Sequence, residues 1–225
     1  MRKINFVFLF LLFGFVELFA GNRYDMKSGI VEYEIVGDNG KANGSINGTS
    51  KLVFKDFGAI ELVDEKTTQI IAGEQETERT VSKIVKDTLY TADFDDEIIY
   101  SQKLVLDEDS SIQNIKNRES FTQMGAKYLG TETILGYKCD VWQLGEDKIW
   151  VYNSVPLKQI SKSLGVVQMQ IAKTATFNID IKDDKFKLPN FPVKKIEAII
   201  GGGEDEAEYA NPVKDNSLRK TQAIY

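Results

Sequence analysis

Between residues 29 and 181 the chain is a run of short alternating segments separated by turn residues, a pattern that commits it to antiparallel β-structure. Gly29-Ile30-Val31-Glu32-Tyr33-Glu34-Ile35-Val36 sets Val31, Tyr33 and Ile35 on one face and Glu32 and Glu34 on the other. Gly37-Asp38-Asn39-Gly40 then supplies the positive-φ residues of a turn. Segments over 44–57, 59–63, 67–72, 79–85, 88–92 and 98–106 continue as a meander. Hairpins follow over 127–133, 138–144, 148–152, 157–163, 166–173 and 176–181. Gly136, Gly145-Glu146-Asp147, Asn153 to Pro156 and Leu164-Gly165 fall in the gaps between them. Pro156 withholds a ladder donor, so a strand is expected to begin at Leu157. One helix is expected over Ile112 to Tyr128, with Ile112, Ile115, Phe121, Met124 and Tyr128 on one face. Asp109, Ser110 and Ser111 offer capping oxygens, and Gly125 offers a stop. The fold class is mainly β with minor α.

The first twenty residues predict export. Arg2 and Lys3 precede an apolar stretch from Ile4 to Phe19, with cleavage expected near Ala20. The stretch is short for a membrane span and is interrupted by Glu17. No cysteine lies near its end, so a lipid anchor is not expected. The predicted organisation is a signal peptide over 1–20, a β domain over 21–193 and an acidic tail over 194–225, where Gly201-Gly202-Gly203 precedes Glu204-Asp205-Glu206-Ala207-Glu208. The expected location is periplasmic and soluble.

Cys139 is the only cysteine, which rules out an intramolecular disulfide, and its place in the Tyr137, Cys139, Val141 alternation predicts a buried structural thiol. There is no histidine. Ser-His-Asp hydrolysis, Cys-His proteolysis and His-ligated zinc are therefore unavailable, leaving carboxylate chemistry or oxygen-ligated calcium. The acidic clusters Asp93, Asp95, Asp96, Glu97 and Asp107, Glu108, Asp109 lack the glycine and distant glutamate of a calcium loop and read as solvated turns. No metal, cofactor or catalytic residue is predicted, and a non-enzyme is expected. A formal charge of −6 makes nucleic acid a poor partner.

Gly130-Thr131-Glu132-Thr133-Ile134-Leu135-Gly136-Tyr137-Lys138-Cys139-Asp140-Val141-Trp142 is followed by Ile149-Trp150-Val151-Tyr152, by Val155-Pro156-Leu157-Lys158, and by Phe186-Lys187-Leu188-Pro189. This order resembles a family of exported bacterial domains of unknown function and, more distantly, the periplasmic lipoprotein carriers of the LolA and LolB type. The resemblance implies an unclosed, strongly curved antiparallel sheet, a half-barrel with helix packed on its concave side. It also implies an apolar cavity that in the carriers accepts acyl chains.

The residues themselves place large apolar groups on both faces of two neighbouring strands. Tyr137, Cys139 and Val141 oppose Lys138, Asp140 and Trp142, while Ile149 and Val151 alternate with Trp150 and Tyr152. Tyr137, Trp142, Trp150 and Tyr152 are therefore either core aromatics or the lining of a ligand site. Three functional classes fit: a periplasmic binder of a lipid or other hydrophobic ligand, an envelope module that docks another protein, and a carboxylate-driven enzyme. The first is the expectation, as a monomer.

Overall fold

Twelve strands join in one sheet in the computed structural model, which describes residues 22–39, 44–71, 73–104, 118–163 and 165–196. The strands are β1 (Gly29–Asn39), β2 (Gly44–Lys55), β3 (Ile60–Ile71), β4 (Glu74–Val85), β5 (Thr88–Asp93) and β6 (Ile98–Lys103). After a short helix α1 (Arg118–Gln123) come β7 (Lys127–Ile134), β8 (Tyr137–Leu144), β9 (Asp147–Tyr152), β10 (Val155–Ser163), β11 (Val166–Phe177) and β12 (Val193–Ile196). Their order across the sheet is β12-β6-β5-β4-β3-β2-β1-β11-β10-β9-β8-β7. Two meanders thus meet at an antiparallel seam between β1 and β11, and β12 returns to lie parallel to β6. Edges remain at β12 and β7, so the sheet is unclosed. The tight turns follow local chemistry: Leu135-Gly136 and Asn153-Ser154 all take positive φ, the geometry that two-residue hairpins need.

The sheet is curved. Tyr137 on β8 donates a hydrogen bond to the Ala175 carbonyl on β11 at 3.3 Å, although β9 and β10 lie between them. Three strand spacings of about 4.8 Å would hold those strands roughly 14 Å apart in a flat sheet. The Tyr137 and Tyr152 rings also reach Phe177 of β11, with centroids 5.2 and 5.8 Å apart. The face carrying these rings is the inner one. Its core runs from Val63 on β3, through Phe54, Val31 and Leu157, to Cys139 and Val141 on β8.

A strap ahead of β1 closes one end of this core. Backbone N–H groups of Arg23 and Tyr24 donate to the Phe57 carbonyl in the β2–β3 turn at 2.9 and 3.2 Å. The Asp25 N–H donates to Asn153 in the β9–β10 turn at 3.2 Å. The Ser154 hydroxyl fixes the Asp25 carboxylate at 2.5 Å. Tyr24 is fully buried and packs on Phe54 with ring centroids 4.2 Å apart.

On the outer face Val53, Leu62, Val81, Ala92 and Ile99 are covered by the segment after β11, through Ile181 and Phe186, with Leu188 and Phe191 beside them. The Phe186-Leu188-Pro189 end of the motif is therefore a cover for β2 to β6, and it leads directly into β12. The sheet accordingly reaches Ile196, three residues past the expected domain end at 193. The expected signal segment and the residues beyond 196 lie outside the described residues.

Several elements differ from expectation. The segments 59–63 and 67–72 are one strand, β3, and 166–173 joins 176–177 in β11, with a register shift opposite Glu32 and Tyr33. β10 starts at Val155, because a register shift between Pro156 and Lys158 accommodates the proline. Of the expected 112–128 helix, the described part is α1, and Tyr128 belongs to β7. Gly125, at φ +77°, ends α1 as foreseen: Ala126 N–H bonds to Phe121 O at 2.8 Å and Gly125 N–H to Thr122 O at 3.0 Å. Phe121 stacks on Trp142 at 5.2 Å, and Trp142 alternates with Val141 of the inner core. The described helix therefore covers the outer face rather than the concave one; 105–117 lie outside the described residues.

Gly48 on β2 marks a close approach inside the sheet. A Cβ there would sit 2.5 Å from the Lys66 carbonyl oxygen of the paired strand β3. Backbone in mid-sheet cannot retreat cheaply, so Gly48→Ala is expected to cost about 1–3 kcal/mol in urea unfolding; an unchanged midpoint would refute that crowding.

Candidate functional site

The four aromatics singled out by the sequence do not form one cluster. Val141 pairs with Trp150 and Trp142 with Ile149, so Tyr137, Trp150 and Tyr152 share the inner face and Trp142 the outer. Trp142 is buried among Phe121, Val151 and Ile149. Trp150 is buried in the inner core, donates its indole N–H to Glu132 at 2.7 Å and lies under the Lys158 ammonium, 4.3 Å from the ring centroid. Tyr137 and Tyr152 are half-buried, 4.8 Å apart between centroids, and form an aromatic nest with Phe177.

Asp140, on the outer face with Trp142, accepts two hydrogen bonds from Arg118, both 2.8 Å, and one from Tyr128 at 3.2 Å. The Arg118 guanidinium beside it holds its carboxyl below the usual range. The arginine is exposed and screened by solvent, so the pair has the character of a surface clamp between α1 and β8 and adds little to stability.

Two carboxylates face inward from β3 and meet opposite fates. Glu61 accepts the Tyr24 hydroxyl at 2.7 Å, with the Arg23 guanidinium 3.4 Å away. Arg23 in turn donates to the Gly58 carbonyl. Glu65, four residues on, is 2% exposed, and neither of its oxygens has a hydrogen-bond partner among the described residues. Ser50 lies directly across on β2 and Thr67 two residues along β3, opposite Gly48. Both hydroxyls are buried and equally unpartnered. Burial pushes the Glu65 carboxyl up to about 7; the Ser50 hydroxyl pulls the other way without reaching hydrogen-bond geometry, and Glu78 adds to the rise.

Sequence reasoning missed this group. The signal was available as a glutamate at the inward phase of a strand, where alternation calls for an apolar residue.

Cys139 is fully buried, and burial raises its thiol to about 11. A thiol so protonated is a poor nucleophile. Alkylation by iodoacetamide at pH 8 is expected to proceed only with unfolding; labelling of the native protein at the rate of a free thiol would contradict the buried placement.

Among the described residues no group of three or more His, Cys, Asp or Glu is placed to hold a metal ion. Asp93 instead caps its own turn, accepting from the Asp95 and Asp96 N–H groups at 2.9 and 3.0 Å, while Asp107, Glu108 and Asp109 lie outside the described residues. No helix among the described residues is long and apolar enough to cross a membrane.

No protein-family model matches the sequence, and no curated protein matches it either. Comparison with solved structures finds similar chains at low identity. They include an uncharacterized conserved protein from Thermus thermophilus, with 5% identity over 76% of this chain and 93% of that one, at a TM-score of 0.44. MucB matches with 11% identity over 76% of this chain, which spans 61% of MucB, at a TM-score of 0.43. A LolA superfamily protein from Nitrosomonas europaea matches with 14% identity over 75% of this chain and 94% of its own, at a TM-score of 0.34.

Proposed function

We propose that this chain is an exported, non-enzymatic periplasmic protein that binds or carries a hydrophobic or amphipathic ligand, a lipid or an acyl chain, against the inner face of its sheet. The observation that carries this reading is a wide curved sheet that never closes and whose inner side carries a continuous apolar cluster from Val63 on β3 to Val141 on β8. The chemistry of the chain points the same way. It has no histidine, its one thiol is buried and protonated, and the inward Glu61 is tied to Tyr24 and Arg23. Tyr137 and Tyr152, half-buried on the inner face, are the ligand contacts in this reading. Trp150 supports them, and Trp142 holds the outer face.

Native mass spectrometry of protein purified from its own periplasm should show co-purified lipid, and the delipidated protein should take up a fluorescent fatty acid. The double variant Tyr137→Ala/Tyr152→Ala should lose most of that uptake, while Trp142→Ala keeps it per folded molecule. A bare mass together with no uptake would overturn the proposal.

A further inference from the structure

The inner face holds a polar patch that no hydrogen bond among the described residues satisfies. Glu65, Ser50 and Thr67 are 2%, 3% and 3% exposed, and the two carboxylate oxygens and both hydroxyls lack partners among the described residues. They are adjacent by register: Ser50 faces Glu65, and Thr67, two residues along the same strand, faces Gly48 and packs closely on it. Apolar groups frame the patch on the same face. Val63 precedes Glu65 on β3, Tyr33 faces Ser50 from β1, and Ile35 faces Gly48.

A buried carboxylate with no hydrogen-bond partner is strongly disfavoured, and such an exception calls for an explanation. The neighbouring Glu61 on the same strand shows how the fold treats a structural carboxylate: the strap ahead of β1 brings Tyr24 and Arg23 to it. Departures from local consistency of this kind gather at functional sites. The missing partner must bring N–H or O–H donors and positive charge. An anionic headgroup would set like charge on like, and a single alcohol offers one donor for two carboxylate oxygens. A primary ammonium offers three donors, enough for both oxygens and one hydroxyl.

The geometry points to Glu65, Ser50 and Thr67 as a subsite for the primary ammonium group of an amphipathic amine, whose hydrocarbon part lies along Tyr33, Ile35 and Val63. This rests on the reading of the inner face as the ligand-binding face.

The test compares decylamine, decanol and decanoate binding to the full purified protein by displacement of an apolar fluorophore at pH 7.5, below their aggregation concentrations. Decylamine should bind at least tenfold tighter than decanol, and decanoate weakest. Glu65→Gln, its fold checked by circular dichroism, should bring decylamine to within about twofold of decanol. Glu76→Gln, on the exposed part of β4, should leave all three as they are, which separates the subsite from the general negative charge. If the amine preference is missing in the wild type, or survives Glu65→Gln, the subsite is refuted while decanol binding still upholds the apolar face. If none of the three binds, the proposed function itself falls, and the subsite with it.

Discussion

Tyr24→Ala is expected to lower stability by about 4 kcal/mol, roughly 10 °C in melting temperature for a domain of this size. Three losses combine. The ring is fully buried against Phe54, so its removal leaves a large cavity at the end of the inner core. Its hydroxyl is the hydrogen-bond donor to Glu61, which is itself buried and would be left with Arg23 alone. The strap also loses the anchor between its two backbone attachments, at the β2–β3 turn and the β9–β10 turn. Tyr24→Phe isolates the second loss and should cost about 1–3 kcal/mol. Urea unfolding of the three proteins checks the ladder; a phenylalanine variant as stable as wild type would mean that Glu61 does not depend on the hydroxyl.

Glu65→Gln should do the opposite and stabilise the protein, by an amount that depends on pH. Burial holds the folded carboxyl at about 7, against an ordinary 4.5. The folded state therefore binds more protons than the unfolded state between those values, and stability falls as pH rises through that window. Below pH 4.5 the side chain is neutral in both states and costs nothing through ionisation. Above pH 7 the penalty is complete, about 3 kcal/mol. The groups facing Glu65 do not offset it: Ser50 and Thr67 are neutral, and Glu78 is acidic and is itself raised, chiefly by burial. The carboxyls of Asp140, Asp183 and Glu32 are held low, by Arg118, Lys55 and Lys51 in turn, so their contributions are lost only at pH below the ordinary carboxylate range. Wild type and variant should thus differ by about 2–3 kcal/mol at pH 8 and converge near pH 4.5. Parallel pH profiles would show that Glu65 does not titrate in this window.

The two halves of the chain were legible to different degrees. β1, β8 and β9 announce themselves because each alternates cleanly and ends in a turn of the right chemistry, and Gly125 marks the end of α1 by the conformation it adopts. β3 reads as two pieces because Asp64-Glu65-Lys66 interrupts its apolar phase, and that interruption is the unpartnered Glu65. The first half of β4, Glu74 to Arg79, is polar and largely turned to solvent; it is a strand through pairing with β3, which no local pattern in its own residues encodes. β10 is misjudged by two residues because a bulge lets Pro156 sit within a strand. The seam of β1 with β11 and the return of β12 to β6 join segments too distant in sequence for turn rules to reach. Of the site, the alternation gave the faces of Tyr137, Trp150, Tyr152 and Trp142 correctly. That Trp142 is taken up by Phe121 depends on where the helix lands.

The seam also dictates a schedule. Ser28 donates its hydroxyl hydrogen to the Ile179 carbonyl beside the seam, 151 positions away in the chain. Each meander is local and forms quickly, whereas joining β1 to β11 must wait for almost the whole domain to emerge, and such distant pairing is slow. Until then β1 is an open edge. For the exported protein proposed above that delay is useful, since a chain whose halves have not yet joined is still loose enough to be threaded across a membrane. The price of a slow seam is a longer time in which an unpaired β1 can recruit the wrong neighbour.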